Sequence, residues 1–567
     1  MAVTMLEWSH VRRFGAAVLL IAVTGGASRL TAQQPPEVQA AQVLMGQGDL
    51  EGAATALKAY TSGNPGNWVA WSLLGASLRQ LQRPDEAIVA YRKALHLPGH
   101  SQNVVVNLGV LLASGPDPDG GFALLEQARA SGSVDITQID AQPGADRLRS
   151  DPRYRALFPT EAEFADPFVE PARIIREWRG EARGDQFGWI ARNAGDVDGD
   201  GVNDVTTSAP SHAGGGPGAG RVYTYSSRTG VRLWSADGAP ADQLGLGINP
   251  AGDVDADGIP DVVAGAPGGE KLVVYGGRDG HVIRVVEGGG QERFGHRVIG
   301  VGDVDRDGHG DILVGAPGSA AAGQGAGRAY LISGRTGAPL LTLTGEEAGD
   351  AFGSAVGGRT AASGAFTLVI GAPNAGPGDR GATYVYKDLS GEPAFVIHSD
   401  ESGAQLGGMF VSAVGDVDGD GTLDVYAADF SGNTNGPGSG RAFVHSGATG
   451  AKLMDLPGET PGEGFGIGIA DAGDVDRDGH DDLVIGAWQY AAAAVSGGRI
   501  YLYSGADGRL LRTITGKVMG ETLGFDATGI GDVDGDGVVD LLVTSAWSAV
   551  NGGRSGRMFI LSGAEGR

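Results

Sequence analysis

Hydrophobic positions along the chain follow two different periods. Over residues 35–159 apolar residues recur at helical spacing, and a 34-residue period emerges: Leu44, Ala53 and Leu57 return as Leu78, Ala87 and Tyr91. A third, degenerate copy starts near Val105, Leu108 and Gly109 and is interrupted by the turn-rich GPDPDGG of residues 115–121. The segment SDPRYRALF predicts a terminal helix with Asp151 as N-cap and Pro152 in its first turn. Residues 160–171 (TEAEFADPFVEP), acidic and holding two prolines, read as a linker. From residue 172 onward the pattern changes to short apolar runs bounded by glycine-rich turns. DVVAGAP and DILVGAP alternate with runs such as GRVYTYSS and GRIYLYSG, then with runs such as VRLWS and LLRTIT.

These runs belong to a long repeat. Its anchors are Phe187-Gly188, Leu244-Gly245, Phe294-Gly295, Phe352-Gly353, Leu406-Gly407, Phe465-Gly466 and Leu523-Gly524, 50 to 59 residues apart. Seven units of four short antiparallel strands predict an all-β, seven-bladed β-propeller preceded by an α-helical domain. Closure supplies an internal check. The chain ends at the turn after the third strand of the seventh unit, and the missing fourth strand is found at the front as ARIIREW, residues 172–178. An N-terminal strand that completes the last blade pairs otherwise exposed edges and ties the ring shut.

Six of the seven units carry D-x-D-x-D-G-x-x-D after the anchor. The aspartates are Asp196, Asp198, Asp200 and Asp204; Asp253, Asp255, Asp257 and Asp261; Asp303, Asp305, Asp307 and Asp311; Asp416, Asp418, Asp420 and Asp424; Asp474, Asp476, Asp478 and Asp482; and Asp532, Asp534, Asp536 and Asp540. Two bare carboxylates ~4 Å apart repel by about 4 kcal/mol at an effective dielectric of 20. A cation resolves that crowding. Alternate aspartates aim oxygens inward, the glycine permits a sharp reversal, and the ninth residue closes the shell. The seventh residue (Val202, Ile259, His309, Thr422, His480 or Val538) offers its backbone carbonyl. Hard oxygen donors in that number suit Ca2+, up to six ions, better than the stricter octahedron of Mg2+. An EF-hand is excluded because position twelve is Thr207, Ala264, Val314, Ala427, Ile485 or Val543, each inside a strand-like run, where that motif needs Glu. Solvated acidic turns could account for one such loop, but not readily for six of unchanged spacing.

Composition adds three constraints. The 101 glycines among 567 residues follow no triplet period and accompany 41% hydrophobic residues, which excludes collagen and disorder. The first residues show Arg12 and Arg13, then the apolar run FGAAVLLIAV, then small residues. This predicts a signal peptide over residues 1–32, the alternative being an uncleaved anchor. The mature chain is expected to hold no membrane span and to be exported to the extracellular space, the cell surface or the periplasm. Cysteine is absent, so metal rather than disulfides must brace an exported, loop-rich fold. The net charge of −26, which six divalent ions would reduce to −14, argues against a nucleic-acid partner.

The anchors, the aspartate loops and the G-A-P at residues 265–267, 315–317 and 371–373 resemble the FG-GAP repeat of the integrin α-subunit propeller. The resemblance covers residues 172–567. It implies calcium between the first and second strands of several blades, and ligands on the opposite face. Six such loops exceed the usual integrin number and are more similar to bacterial members. Trp71, Leu74, Gly75, Leu78, Ala87, Tyr91 and Ala94 resemble the large and small positions of a tetratricopeptide repeat.

Arg183-Gly184-Asp185 spells an integrin-ligand tripeptide, but Asp185 occupies the acidic place that Asp242, Glu292, Asp350, Glu463 and Glu521 fill in other units; only the fifth departs, with Ala404. The repeat accounts for it. Trp488, Tyr490 and Trp547, where G-A-P has drifted, form either a recognition patch or a cover for the barrel mouth. No catalytic constellation is evident, as neither G-x-S-x-G nor H-E-x-x-H occurs. Three functions follow in order of expectation: a non-enzymatic binding or adhesion module for a protein or glycan ligand, a cell-envelope scaffold whose helices dock a peptide partner, and an enzyme on polysaccharide or lipid.

Overall fold

The computed structural model describes residues 35–141, 145–361, 363–376, 378, 380–401 and 405–564; the expected signal peptide lies outside them. The chain divides into two compact units, Met1–Thr160 and Glu161–Arg567. Among the described residues no helix is long and apolar enough to cross a membrane.

The first unit is built from helical hairpins: Pro36–Gly46 with Leu50–Gly63, Trp68–Gln80 with Pro84–Leu95, and Gln102–Ala113 with Pro118–Ser131. Asp49, Asn67 and Asp117 cap their helices by accepting from the amides of Gly52, Ala70 and Gly120. The 34-residue period sets a small residue against a large one within a hairpin. A Cβ on Gly75 would stand 2.9 Å from the Tyr91 ring, and one on Gly109 the same distance from Leu125. Asp151 caps the short Pro152–Ala156 helix through the Arg153 amide, as the sequence expects.

The second unit is a seven-bladed β-propeller of strands β1 to β28, seven antiparallel sheets of four. β1 (Ile174–Arg179) leads into the first blade, made of β2 (Ala191–Gly195), β3 (Asp204–Ala209), β4 (Arg221–Tyr225) and β5 (Arg232–Asp237). The last blade orders β1, β28 (Arg557–Leu561), β27 (Asp540–Ser545) and β26 (Ala527–Gly531), so the N-terminal strand completes it. β26 packs in turn against β2, closing the ring. Second strands such as β3 and β27 are buried along their whole length, as befits strands covered on both faces, while the outer β5 buries only Trp234.

The anchors join the blades. Phe187 pairs with Gly556 of the preceding blade, and Leu244, Phe352, Leu406, Phe465 and Leu523 pair likewise with Gly220, Gly327, Gly381, Gly440 and Gly498. Gly220 has φ +77°, and a Cβ there would meet the Leu244 carbonyl oxygen at 2.2 Å, so only glycine fits. The short second blade lacks this glycine. There the Glu270 carboxylate accepts from the amides of Arg293 (2.9 Å) and Phe294 (3.0 Å), replacing a backbone bridge with a side chain. Anchor phenylalanines also meet a third-strand tyrosine edge-on, Phe187 with Tyr223 at 5.3 Å and Phe465 with Tyr501 at 5.2 Å.

Residues 161–171 differ from the expected linker. Glu161–Ala165 is a helical turn whose Phe164 is fully buried with Val518 and Val550. Phe168 meets Phe559 edge-on at 5.4 Å, and the Val169 amide donates to the Thr515 carbonyl at 2.9 Å. Two aromatic residues outweigh the acidic, proline-containing composition and strap this stretch to the propeller.

Candidate metal centres and the opposite face

Each aspartate loop connects the first strand of a blade to the second. In the first blade Asp196 accepts from the amides of Gly199 (2.8 Å), Asp200 (3.0 Å) and Gly201 (2.9 Å). Asp198 accepts from the Asp200 amide at 3.0 Å, and Asp200 from the Val202 amide at 3.0 Å. The sixth-position glycine is left-handed in every loop, for example Gly201 at φ +87° and Gly479 at φ +95°. At the fourth position Ala256, Arg306 and Arg477 adopt the same left-handed conformation without being glycine, a local strain in these three loops.

The ninth aspartates are the structural pivots. Asp204 is fully buried; one oxygen accepts from the Val197 and Asp198 amides (3.0 and 3.2 Å), the other from the Ser227 amide (3.1 Å) beyond the third strand. Asp261, Asp311, Asp424, Asp482 and Asp540 repeat this, each bonded to its own loop and to a distant turn at Gly277, Gly334, Gly447, Gly505 or Gly563. Burial pushes the Asp204, Asp261 and Asp540 carboxyls up to about 6 despite the backbone donors, with neighbouring carboxylates adding to the rise. Asp311, Asp424 and Asp482 are raised for the same first cause.

In at least five loops the first, third and ninth aspartates bring one oxygen each within 4.8 Å of one another: Asp196, Asp198 and Asp204 are such a set, as are Asp474, Asp476 and Asp482. The fifth-position aspartates stand outside these close sets. Arg228 pairs with Asp200 at 3.1 Å, and Arg509 with the third-position Asp476 at 3.2 Å. His309 points its ring away: Nδ1 donates to the Val254 carbonyl of the neighbouring blade at 2.7 Å, leaving the backbone carbonyl as its available donor group. An all-oxygen set of crowded carboxylates, held from behind by amides, fits a hard divalent cation.

Asp185 of the Arg-Gly-Asp tripeptide is buried and accepts from the Ala182 amide at 2.7 Å. Asp242, Glu292, Asp350 and Glu463 take the equivalent amides. In the fifth unit the acid shifts to Asp429, which accepts from the Gln405 amide at 3.1 Å. Trp488 and Trp547 are buried and meet edge-on at 4.7 Å, and Phe525 joins them to Trp189. Neither Trp488 nor Trp547 therefore presents its ring as an exposed recognition patch. Unforeseen from sequence is an axial group of Arg192, Asn249, Arg297, Met409, Phe410 and Asp526. Its signal was available: the second residue after the anchor glycine is Arg297, Met409 or Asp526 in three units, against Ile190, Gly247, Ala355 and Gly468 in the others.

Residues 187–225 and 297–332 match the family model of the FG-GAP repeat, and residues 253–314 that of an FG-GAP-like repeat. The chain is 31% identical to integrin alpha-3 of Mus musculus over 195 residues, 32% of this chain and 18% of the relative. It is 27% identical to integrin alpha-4 of Xenopus laevis over 192 residues, 31% of this chain and 18% of the relative. To integrin alpha pat-2 of Caenorhabditis elegans it is 36% identical over 107 residues, 18% and 9% of the two chains. The matched region thus spans less than a fifth of each of these relatives. The chain carries FG-GAP repeats on a seven-bladed propeller and is, over about a third of its length, similar to integrin α-subunits.

Proposed function

We propose that the chain is an exported, calcium-stabilised, non-enzymatic module that binds or adheres to an extracellular protein or glycan through the propeller face opposite the aspartate loops. The observation that carries this is the division of the ring. One rim repeats the same acidic loop six times, while the other bears connections of unequal length and composition, such as residues 211–220, 268–270, 430–440 and 548–556. Variable loops on a rigid frame are where recognition resides. The four aspartates and the seventh carbonyl of each loop hold Ca2+, up to six ions in all. Residues 1–32 are the exported chain's leader, 35–159 a helical repeat domain, and 161–171 belong with the propeller. Calcium counting on the purified mature chain, together with a protein and glycan array probed with the propeller, tests this. Fewer than one ion per chain, or no capture on any array, refutes it.

A second reading has its own observation. The helical unit holds a cleft of about 440 Å³ lined by Lys58, Thr61, Trp71, Leu74, Glu86 and Val89, with Val89 58% exposed. This favours a scaffold whose helices dock a peptide. Capture lost on deleting residues 35–159, and kept after loop exchange on the propeller, selects it.

A further inference from the structure

The innermost strands of three blades, and the residues just before those strands in two more, send side chains to the propeller axis. Arg192 of the first blade and Arg297 of the third each stand 5.9 Å from the ring of Phe410 in the fifth. Non-neighbouring blades meet only across the axis. Arg192 is satisfied: it pairs with the fully buried Asp526 of the seventh blade, and its Nε donates to Asn249 Oδ1 at 3.1 Å.

Arg297 is not. It is 7% exposed, and its Nη1 donates to the carbonyls of Leu246 (3.0 Å) and His296 (3.3 Å). Its Nε is buried without an acceptor, and Nη2 faces the Met409 thioether at 3.8 Å. The charges around it add no free anion. Asp526 is engaged by Arg192, and Glu270 by the amides of Arg293 and Phe294. Burial, then Arg293 and Arg192, lower the Arg297 guanidinium to about 10. An uncompensated buried cation is costly, the more conspicuous in a chain of net charge −26.

The geometry points to an axial carboxylate site, in which Nε and Nη2 of Arg297 form the two-donor edge that grips an acidic side chain of a peptide partner, with Met409 as its cover. The unfilled edge is the one that takes a carboxylate bidentately. Its depth selects among acids. A carboxylate on a flexible methylene stem reaches past a thioether, whereas a uronate carboxylate fixed directly to a sugar ring does not. Methionine suits the cover because its unbranched chain moves at little cost. The inference rests on the binding-module reading and names the chemistry one partner residue brings.

The test is calorimetric titration of the full chain in calcium with three probes: end-blocked Gly-Glu-Gly, end-blocked Gly-Gln-Gly and glucuronate. The glutamate peptide is expected to bind at least about tenfold more tightly than the other two, and Arg297→Met to weaken it by a similar factor. Met409→Ala, which uncovers the edge, is expected to bind the glutamate peptide at least as tightly as the parent. Equal binding of the glutamate and glutamine peptides, glucuronate matching the glutamate peptide, or a folded Arg297→Met that binds unchanged overturns the site. If Arg297→Met does not fold, the peptide pair and Met409→Ala decide. Array capture that is lost on exchanging residues 548–556 but indifferent to Arg297→Met removes this inference and leaves the binding module standing.

Discussion

A ninth-position aspartate such as Asp204 is placed by three backbone amides and hidden from water, while the first and third aspartates crowd its oxygens. Its folded pKa of about 6 lies above the ordinary value near 3.9. The metal-free fold therefore retains this proton more strongly than the unfolded chain does. The associated stability is complete below about pH 4 and is lost as pH rises through about 6. Metal binding requires the ionised form, so the sign reverses when calcium is present. We expect the calcium-induced rise in melting temperature to be larger at pH 7.5 than at pH 5, measured by calorimetry on dialysed apo and calcium-loaded chain. An equal rise at both pH values contradicts it. Asp198→Asn tests the crowding itself. Asp198 shares the set with Asp196 and Asp204 and takes the Asp200 amide on one oxygen, which an asparagine oxygen can still do. The variant should hold one ion fewer by metal counting and lose little apo stability.

At the level of elements, apolar alternation and turn residues were enough to read the strands, because each blade repeats the same local solution. The strap over residues 161–171 is not legible in the sequence, because its composition is that of a linker and its partners, Val518, Val550 and Phe559, lie far along the chain. Phe164→Ala should cost about 3–5 kcal/mol by denaturant unfolding of the propeller, as removal of a buried phenylalanine does. A chain starting at residue 172 should be less stable than one starting at 161; equal midpoints would mean that the strap is dispensable. The Glu270 bridge is a second local solution that the repeat conceals. Glu270→Gln keeps one acceptor oxygen and loses the other, and should lower the unfolding midpoint more than the same change at the exposed Glu392.

The whole ring is closed by β1 pairing with β28 and by the Phe187–Gly556 bridge between the last and first blades. Gly556→Ala places a Cβ 2.0 Å from the Phe187 carbonyl oxygen at a φ of +89°, and should destabilise the propeller more than Gly199→Ala, whose Cβ meets nothing within 4 Å, when both are melted in calcium. By itself the sequence determined the number of blades, the strand that completes the last of them and the positions of the aspartate loops. Each of these is a local pattern copied along the chain, and copying makes a weak signal readable. Only the tertiary structure decided which residues face one another where the copies differ: that residues 161–171 are strapped down, and that Arg297 lies buried with its Nε unpaired. The strap and the Arg297–Met409 contact join residues more than a hundred positions apart, and no periodicity records a meeting that happens once.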